Sequence, residues 1–159
     1  MINGYTIQSM NNDQLNQSQA MDLVWKVFLE FEAPEYTEEG IREFRQFIAP
    51  QAVEHRIANG ELFVWGCFNG EKIIGVIATR PPCHISLLFV DKEYHRQGIA
   101  KALYETVLNH YINNSDYTTV TVNSSPYALE AYRRLAFQNT DVEQTVNGLR
   151  FIPMKNTFR

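Results

Sequence analysis

Residues 87–102 read LLFVDKEYHRQGIAKA. Leu87, Leu88, Phe89 and Val90 form an apolar run of the length of a buried strand. Asp91 to Tyr94 are polar and turn-like. Beyond Gly98, residues Ile99, Ala102, Leu103, Thr106 and Val107 recur at helix spacing and mark one buried face. The stretch therefore reads strand, tight turn, helix, with a glycine where the turn becomes helix. The first N–H groups of a helix have no partner inside it, and the helix dipole places partial positive charge there. Such an end stabilises an anion. Gly98 has no Cβ to block a close approach, Ala100 is nearly as small, and Arg96 and Lys101 put cations beside the same point. These features describe a candidate pyrophosphate cradle. Neither GxxxxGK[ST] nor GxGxxG is present, and a helix that merely begins with glycine is the plainer reading of the junction alone.

The flanks supply alternating strands and helices. Tyr5 to Ser9 alternates like a short strand, and Asn11, Asn12 and Asp13 are turn or cap residues. A helix is expected from Ser18, with Met21, Val24, Trp25, Phe28 and Phe31 as its stripe. Ala33-Pro34 ends it. Thr37 caps a second helix with acids in its first turn, and its apolar face is Ile41, Phe44, Phe47 and Ile48. Pro50 interrupts, and a further helical piece through Val53, Ile57 and Ala58 stops at Asn59-Gly60. Glu61–Phe68 and Lys72–Thr79 are β-rich runs joined at Asn69-Gly70, a strong hairpin signal. His84–Val90 is the strand of the opening stretch. Its helix runs to about Tyr111, and Tyr117–Val122 is another strand. Ser125-Pro126 starts a helix as N-cap and first residue, with Leu129, Tyr132, Arg133 and Ala136 on one face. Two strands close the chain, Phe137 to Thr145 and Leu149 to Met154, around Asn147-Gly148. The order β-α-α-β-β-β-α-β-α-β-β predicts an α/β or α+β sheet with helices on its faces.

The 159 residues suit one domain with a sizeable core. Apolar residues make up 45% and aromatic residues 13% of the chain, as in globular proteins. A formal net charge of −4 implies no nucleic-acid surface. No apolar run is long enough to span a bilayer, and MINGYTIQSMNND has neither the basic segment nor the apolar core of a signal peptide. Cys67 and Cys83 read as buried free thiols, which points to the cytoplasm. No Cys/His cluster has zinc-like spacing.

The stretch HRQGIA resembles motif A of the GNAT superfamily of acyl-CoA N-acyltransferases, [Q/R]-x-x-G-x-[G/A] after a strand. It falls on His95, Gly98 and Ala100, with His95 where the family usually has Gln or Arg. A second stretch, SPYALEAYRRLAF, is similar to the family's N-x-x-A-x-x-[F/A]-Y-x-x-x-G-F. Ala128, Ala131, Tyr132 and Phe137 match, Ser125 takes the Asn position, and Ala136 takes the Gly position. Two motifs in family order are more specific than either alone. The resemblance covers most of the chain from about residue 61 onward; the N-terminal helices match in position and type.

The resemblance implies a mixed central sheet with helices on both faces. The strand before motif A and that at Thr118–Val122 run parallel and splay apart to admit the cofactor's pantetheine arm. It implies acetyl-CoA as cofactor, its pyrophosphate held at His95, Arg96, Gln97, Gly98, Ile99, Ala100 and Lys101. Main-chain N–H groups of Leu88, Phe89 and Val90 would face the thioester oxygen, and Ser125, Ala128 and Tyr132 would line the opposite side. Tyr132 is the candidate acid for the departing thiolate, against the plainer reading of a core tyrosine with its hydroxyl at the edge. His84 and Glu32 are the candidate bases for the acceptor ammonium. His84 has the alternative of an ordinary strand-end residue, and Glu32, with Glu35, Glu38 and Glu39, that of dipole-complementing helix charge. Cys83 and His84 are adjacent on a strand and point to opposite faces, so direct transfer is favoured over a covalent enzyme intermediate. The expected partner is a small-molecule or peptide amine acceptor, with no nucleic acid or membrane, and a homodimer is plausible. A non-catalytic acyl-CoA-binding or sensing domain and a structural interaction domain stand as competing classes.

Overall fold

The computed structural model describes residues 3–159. Eight strands form the sheet system: β1 (Thr6–Ser9), β2 (Phe63–Asn69), β3 (Lys72–Arg80), β4 (His84–Val90), β5 (Thr119–Ser124), β6 (Gln138–Asn139), β7 (Gln144–Val146) and β8 (Leu149–Thr157). The helices are α1 (Gln14–Phe31), α2 (Glu38–Phe47), α3 (Pro50–Ala58), α4 (Ile99–Asn114) and α5 (Leu129–Arg134). The spatial order is β1-β2-β3-β4-β5-β8-β6, with β7 paired to β8. Every pairing is antiparallel except β4 with β5. This is the expected mixed sheet with helices on both faces.

Alternation along the central strands divides the core in two. Val64, Val76, Leu87 and Phe89 join Val24 and Phe28 of α1 in one layer. Trp65, Ile74 and Ile77 join Ile99, Leu103 and Val107 of α4 in the other. The deep face of α4 also includes Tyr104 and Tyr111, while Ala102 and Thr106 sit at its margins.

Several boundaries differ from the sequence reading. Helix α1 begins at Gln14, four residues before Ser18, because the Asp13 carboxylate accepts the Asn16 N–H at 3.0 Å and caps the helix there. Helix α5 begins at Leu129, not at Pro126. The Ser125 hydroxyl does accept a capping-type bond from the Ala128 N–H at 3.1 Å, but residues 126–128 form a turn ahead of the helix. The expected strand 137–145 splits into β6 and β7, which pair with separate parts of β8.

Ala136, at the position where the resemblance expects glycine, has φ +71°. A Cβ in that left-handed conformation costs about 1–2 kcal/mol, against a smaller entropic cost of glycine. Ala136 is exposed, so its methyl contributes little packing. Ala136→Gly is therefore expected to stabilise the fold by about 0.5–1 kcal/mol. A denaturant titration checks this, and an unchanged or lowered midpoint would contradict it.

Candidate active site

The loop from β4 to α4 is held in an unusual shape by side chains at its back. His95 Nε2 donates to the Val90 carbonyl at 2.8 Å, so the residue that departs from the family pattern ties the loop to the strand end. The Tyr5 hydroxyl donates to Gln97 Oε1 at 3.0 Å, bracing the loop from the edge strand. Arg96 (φ +63°) and Gly98 (φ +79°) are both left-handed. The first helical bond runs from the Ala102 N–H to the Gly98 carbonyl at 3.0 Å. The amides of Ile99, Ala100 and Lys101 therefore have no acceptor within the helix. Within the stretch 95–101, unpaired helix-start donors are thus gathered at residues 99–101, while the His95 N–H is taken by the Lys92 carbonyl.

Beside this loop, β4 and β5 part. They pair only at His84↔Thr121 and Ile85↔Val122. Beyond Ile85 the β5-facing edge of β4 is open. On its other edge β4 carries a bulge: Ala78 faces Leu87 and Thr79 faces Ile85, leaving Ser86 as the extra residue. The bulge switches the strand's faces, so Ile85 lies in the α4 layer and Leu87 in the α1 layer. Past the bulge, the Asp91 N–H donates to the Ile74 carbonyl across the sheet. The Val90 carbonyl instead turns away from β3 to meet His95. Neighbouring residues alternate, so the main-chain groups of Leu88 and Val90 face the gap and those of Phe89 face β3.

A cavity of about 730 Å³ lies at the mouth of this gap. Residues distant in sequence meet in its wall: Glu32, His84, Leu88, Ser125, Ala128 and Tyr132. Glu32 reaches it because the end of α1 is clamped to the segment after β4. Lys92 Nζ donates to Glu30 Oε1 at 2.8 Å, and Lys26 lies 3.8 Å from the buried Asp91. Phe31 packs against His95 and stacks on Tyr127, with centroids 5.5 and 5.1 Å apart, which bridges the loops after β4 and β5.

The titrating groups fall into different states. Burial pushes the Glu32 carboxyl up to about 7; the Ser125 hydroxyl lowers it in part and Glu35 raises it further. Tyr132 is buried against Phe137, with ring centroids 5.4 Å apart. Burial and then the Glu32 charge drive its phenol well above the usual tyrosine range, so it keeps its proton. Tyr36, also in the wall, is raised by burial and by Glu32 and Glu35. His84 is at the closed end of the gap, with Nδ1 2.8 Å from Thr121 Oγ1. Burial and the nearby Arg80 lower it to about 4, so the ring is uncharged at neutral pH. Cys83 is buried in the α4 layer, its thiol pushed up to about 11 by desolvation.

Sequence reasoning missed the roof of the cavity. The β7–β8 turn at Asn147-Gly148 rests on the first turn of α2, and a Cβ built on Gly40 would run into the Gly148 carbonyl oxygen. Only two glycines permit that approach. Asn147 was read as a turn residue and Arg150 not at all, yet both reach the cavity wall. Tyr36, next to the Thr37 cap, carries no functional signal in the sequence, yet it lines the wall too. Nothing local distinguishes such residues, because the contact joins segments more than a hundred residues apart.

A splayed parallel pair, an amide-lined helix start and a cavity between them define an acyl-CoA-dependent acyltransferase fold. A family model described as "Acetyltransferase (GNAT) domain" matches residues 32–158. The chain belongs to that family. It is 33% identical over 88 residues to N-acetyltransferase 8 of Homo sapiens, a match covering 48% of this chain and 38% of that protein. The match thus spans well under half the length of that curated relative. Among solved structures, it resembles a GCN5-related N-acetyltransferase from Rhodopseudomonas palustris, with a TM-score of 0.82 at 14% identity, covering 99% of this chain and 98% of that one. It also resembles the PaiA N-acetyltransferase of Thermoplasma acidophilum in complex with coenzyme A, with a TM-score of 0.77 at 16% identity, covering 96% and 99%. At these identities the likeness is one of fold. Among the described residues no helix is long and apolar enough to cross a membrane, and no cluster of His, Cys, Asp or Glu is arranged to hold a metal ion.

Proposed function

We propose that the chain acts as one catalytic unit, residues 1–159, that transfers an acetyl group from acetyl-CoA directly to an amine. The observation that carries this reading is that Glu32 and Tyr132, a hundred residues apart, face one cavity at the mouth of the β4–β5 gap. The residues present fit the cofactor: free amides and left-handed backbone at 96–101 suit a pyrophosphate, and the open edge of β4 suits an extended amide-bearing arm. Bound acetyl-CoA supplies an acetyl thioester.

Glu32, with its carboxyl near 7, takes a proton from the acceptor ammonium. His84 is too weakly basic for that task and orients the acceptor instead. The amides of Leu88 and Val90 donate toward negative charge developing on the thioester oxygen; the Phe89 amide is turned to β3 and takes no part. Tyr132 donates its proton to the departing sulfur. Cys83 is a neutral thiol on the other face of the sheet from the cavity, which supports direct transfer. Two free, buried cysteines accord with a cytoplasmic protein.

Calorimetric titration with acetyl-CoA tests the cofactor site. The wild type is expected to bind, and Gly98→Glu to lose about 100-fold in affinity. A carboxylate would then stand among the phosphate-facing amides on a left-handed residue. A wild type that ignores millimolar acetyl-CoA would overturn the reading.

A further inference from the structure

The cavity is wider than an acetyl group requires, and one of its cations has no acid partner. Three arginines reach its wall. Arg150 is held by Glu143 through two bonds of 3.1 Å. Arg56 donates to the Phe47 carbonyl at 2.7 Å and lies near Glu61. Arg80, opposite His84 in the β3–β4 register, has no acid within ion-pair distance among the described residues. Beside it, His84 also lines the cavity, with Nδ1 engaged by Thr121. Next along β4 is the Ser86 hydroxyl, a buried polar atom with no partner in the protein, in the same wall.

Of the three carboxylates in the wall, Glu61 lies near Arg56. Glu32 stands beside Ser125, four residues past Thr121, the residue level with His84. Glu43 projects from α2 into the same wall. Four residues of strand span about 13 Å, and the reach of arginine and glutamate side chains shortens this to a few atoms' length. The wall also carries the apolar rings of Phe44, Phe47 and Phe151.

We propose that the acceptor is an amino carboxylate with an apolar side chain. Its amine lies toward Glu32, its carboxylate is received by Arg80 with His84 and Ser86 beside it, and its side chain packs on the phenylalanines. A guanidinium matches a carboxylate in charge and in its paired donors. An unpaired cation and an orphaned hydroxyl at one place in the wall, with the Glu32 carboxyl at another, are what a zwitterion of this size would satisfy. This inference rests on the acyltransfer reading above, and names the substrate class of that same site.

Matched acceptor pairs test it: L-phenylalanine against 2-phenylethylamine, and L-leucine against 3-methylbutylamine, which differ only by the carboxylate. Coenzyme A release gives kcat/KM for each, after acetyl-CoA binding has been confirmed by calorimetry. The wild type is expected to prefer the amino acid by about tenfold or more. Arg80→Ala should bring that ratio down toward one, mainly through the amino acid's KM, and Arg80→Lys should keep part of it. Equal use of both members by the wild type, or a ratio untouched by Arg80→Ala in a protein with an unchanged melting curve, would overturn the proposal. So would turnover of neither pair while acetyl-CoA binds, which leaves the acyltransfer reading standing. Failure to bind acetyl-CoA would overturn both.

Discussion

Glu32→Gln is expected to lower kcat/KM at neutral pH by about two to three orders of magnitude, the usual contribution of a positioned general base. The amide keeps the shape of the side chain but cannot take a proton. In the wild type the rate should rise with pH through about 7, where burial has placed the Glu32 carboxyl, because the base works only when ionised. The variant should lose that limb. The same substitution should move stability the other way. Glu32 in the fold binds its proton more tightly than in the unfolded chain, where its pKa is near 4.5. The folded state therefore holds the extra proton between these values, and stability is lost as pH rises from about 4.5 through 7. With some solvent contact retained at Glu32, the cost at pH 8 is on the order of 2 kcal/mol. Glu32→Gln removes it, so the variant should melt higher than the wild type at pH 8 and nearly level with it at pH 4. A rate profile that keeps its limb near 7 in the variant would assign the base elsewhere. A variant less stable at pH 8 would show that the carboxylate is satisfied in the fold.

How much of this site is readable in the chain depends on whether the deciding contact is local. The strand–turn–helix at 87–102 is legible because an apolar run, a glycine and a 3.6-residue repeat are all carried by consecutive residues. The second motif is legible for the same reason, down to the Ser125 side chain that meets the Ala128 N–H. The bulge at Ser86 is not, because a serine in a strand signals nothing until the register with β3 is known. His95 looks like a weakened motif from the sequence alone. Its bond to Val90 shows a different way to fix the loop. The clamp from Glu30 to Lys92, and the glycine contact between 40 and 148, join elements that only the folded sheet brings together. The two candidate bases had equal standing as residue types. Their surroundings differ, since the same desolvation moves a carboxyl up toward neutrality and an imidazole down away from it.

Tyr132→Phe separates the acid role from a purely structural one. The phenol ring packs against Phe137 in the α4 layer, and phenylalanine preserves that contact. Only the hydroxyl is removed, so folding should be little changed. Transfer to a basic amine ends with a sulfur that must leave as a thiol or a hydrogen-bonded thiolate, and a proton donor at that atom is typically worth about 100-fold or more. The expected result is a loss of about 100-fold in kcat, with the apparent KM for the acceptor moving little, because the hydroxyl acts as the bond breaks and not on binding. Leaving-group dependence sharpens the test. With an acetyl donor whose thiol is far more acidic than coenzyme A, such as an acetylated thionitrobenzoate, the sulfur leaves without help and wild type and variant should converge. Burial and the Glu32 charge keep the phenol protonated across the working range, so no falling limb from Tyr132 should appear in the wild-type profile up to pH 9. An equal penalty with both donors would remove the acid role from Tyr132 and leave it as a packing residue.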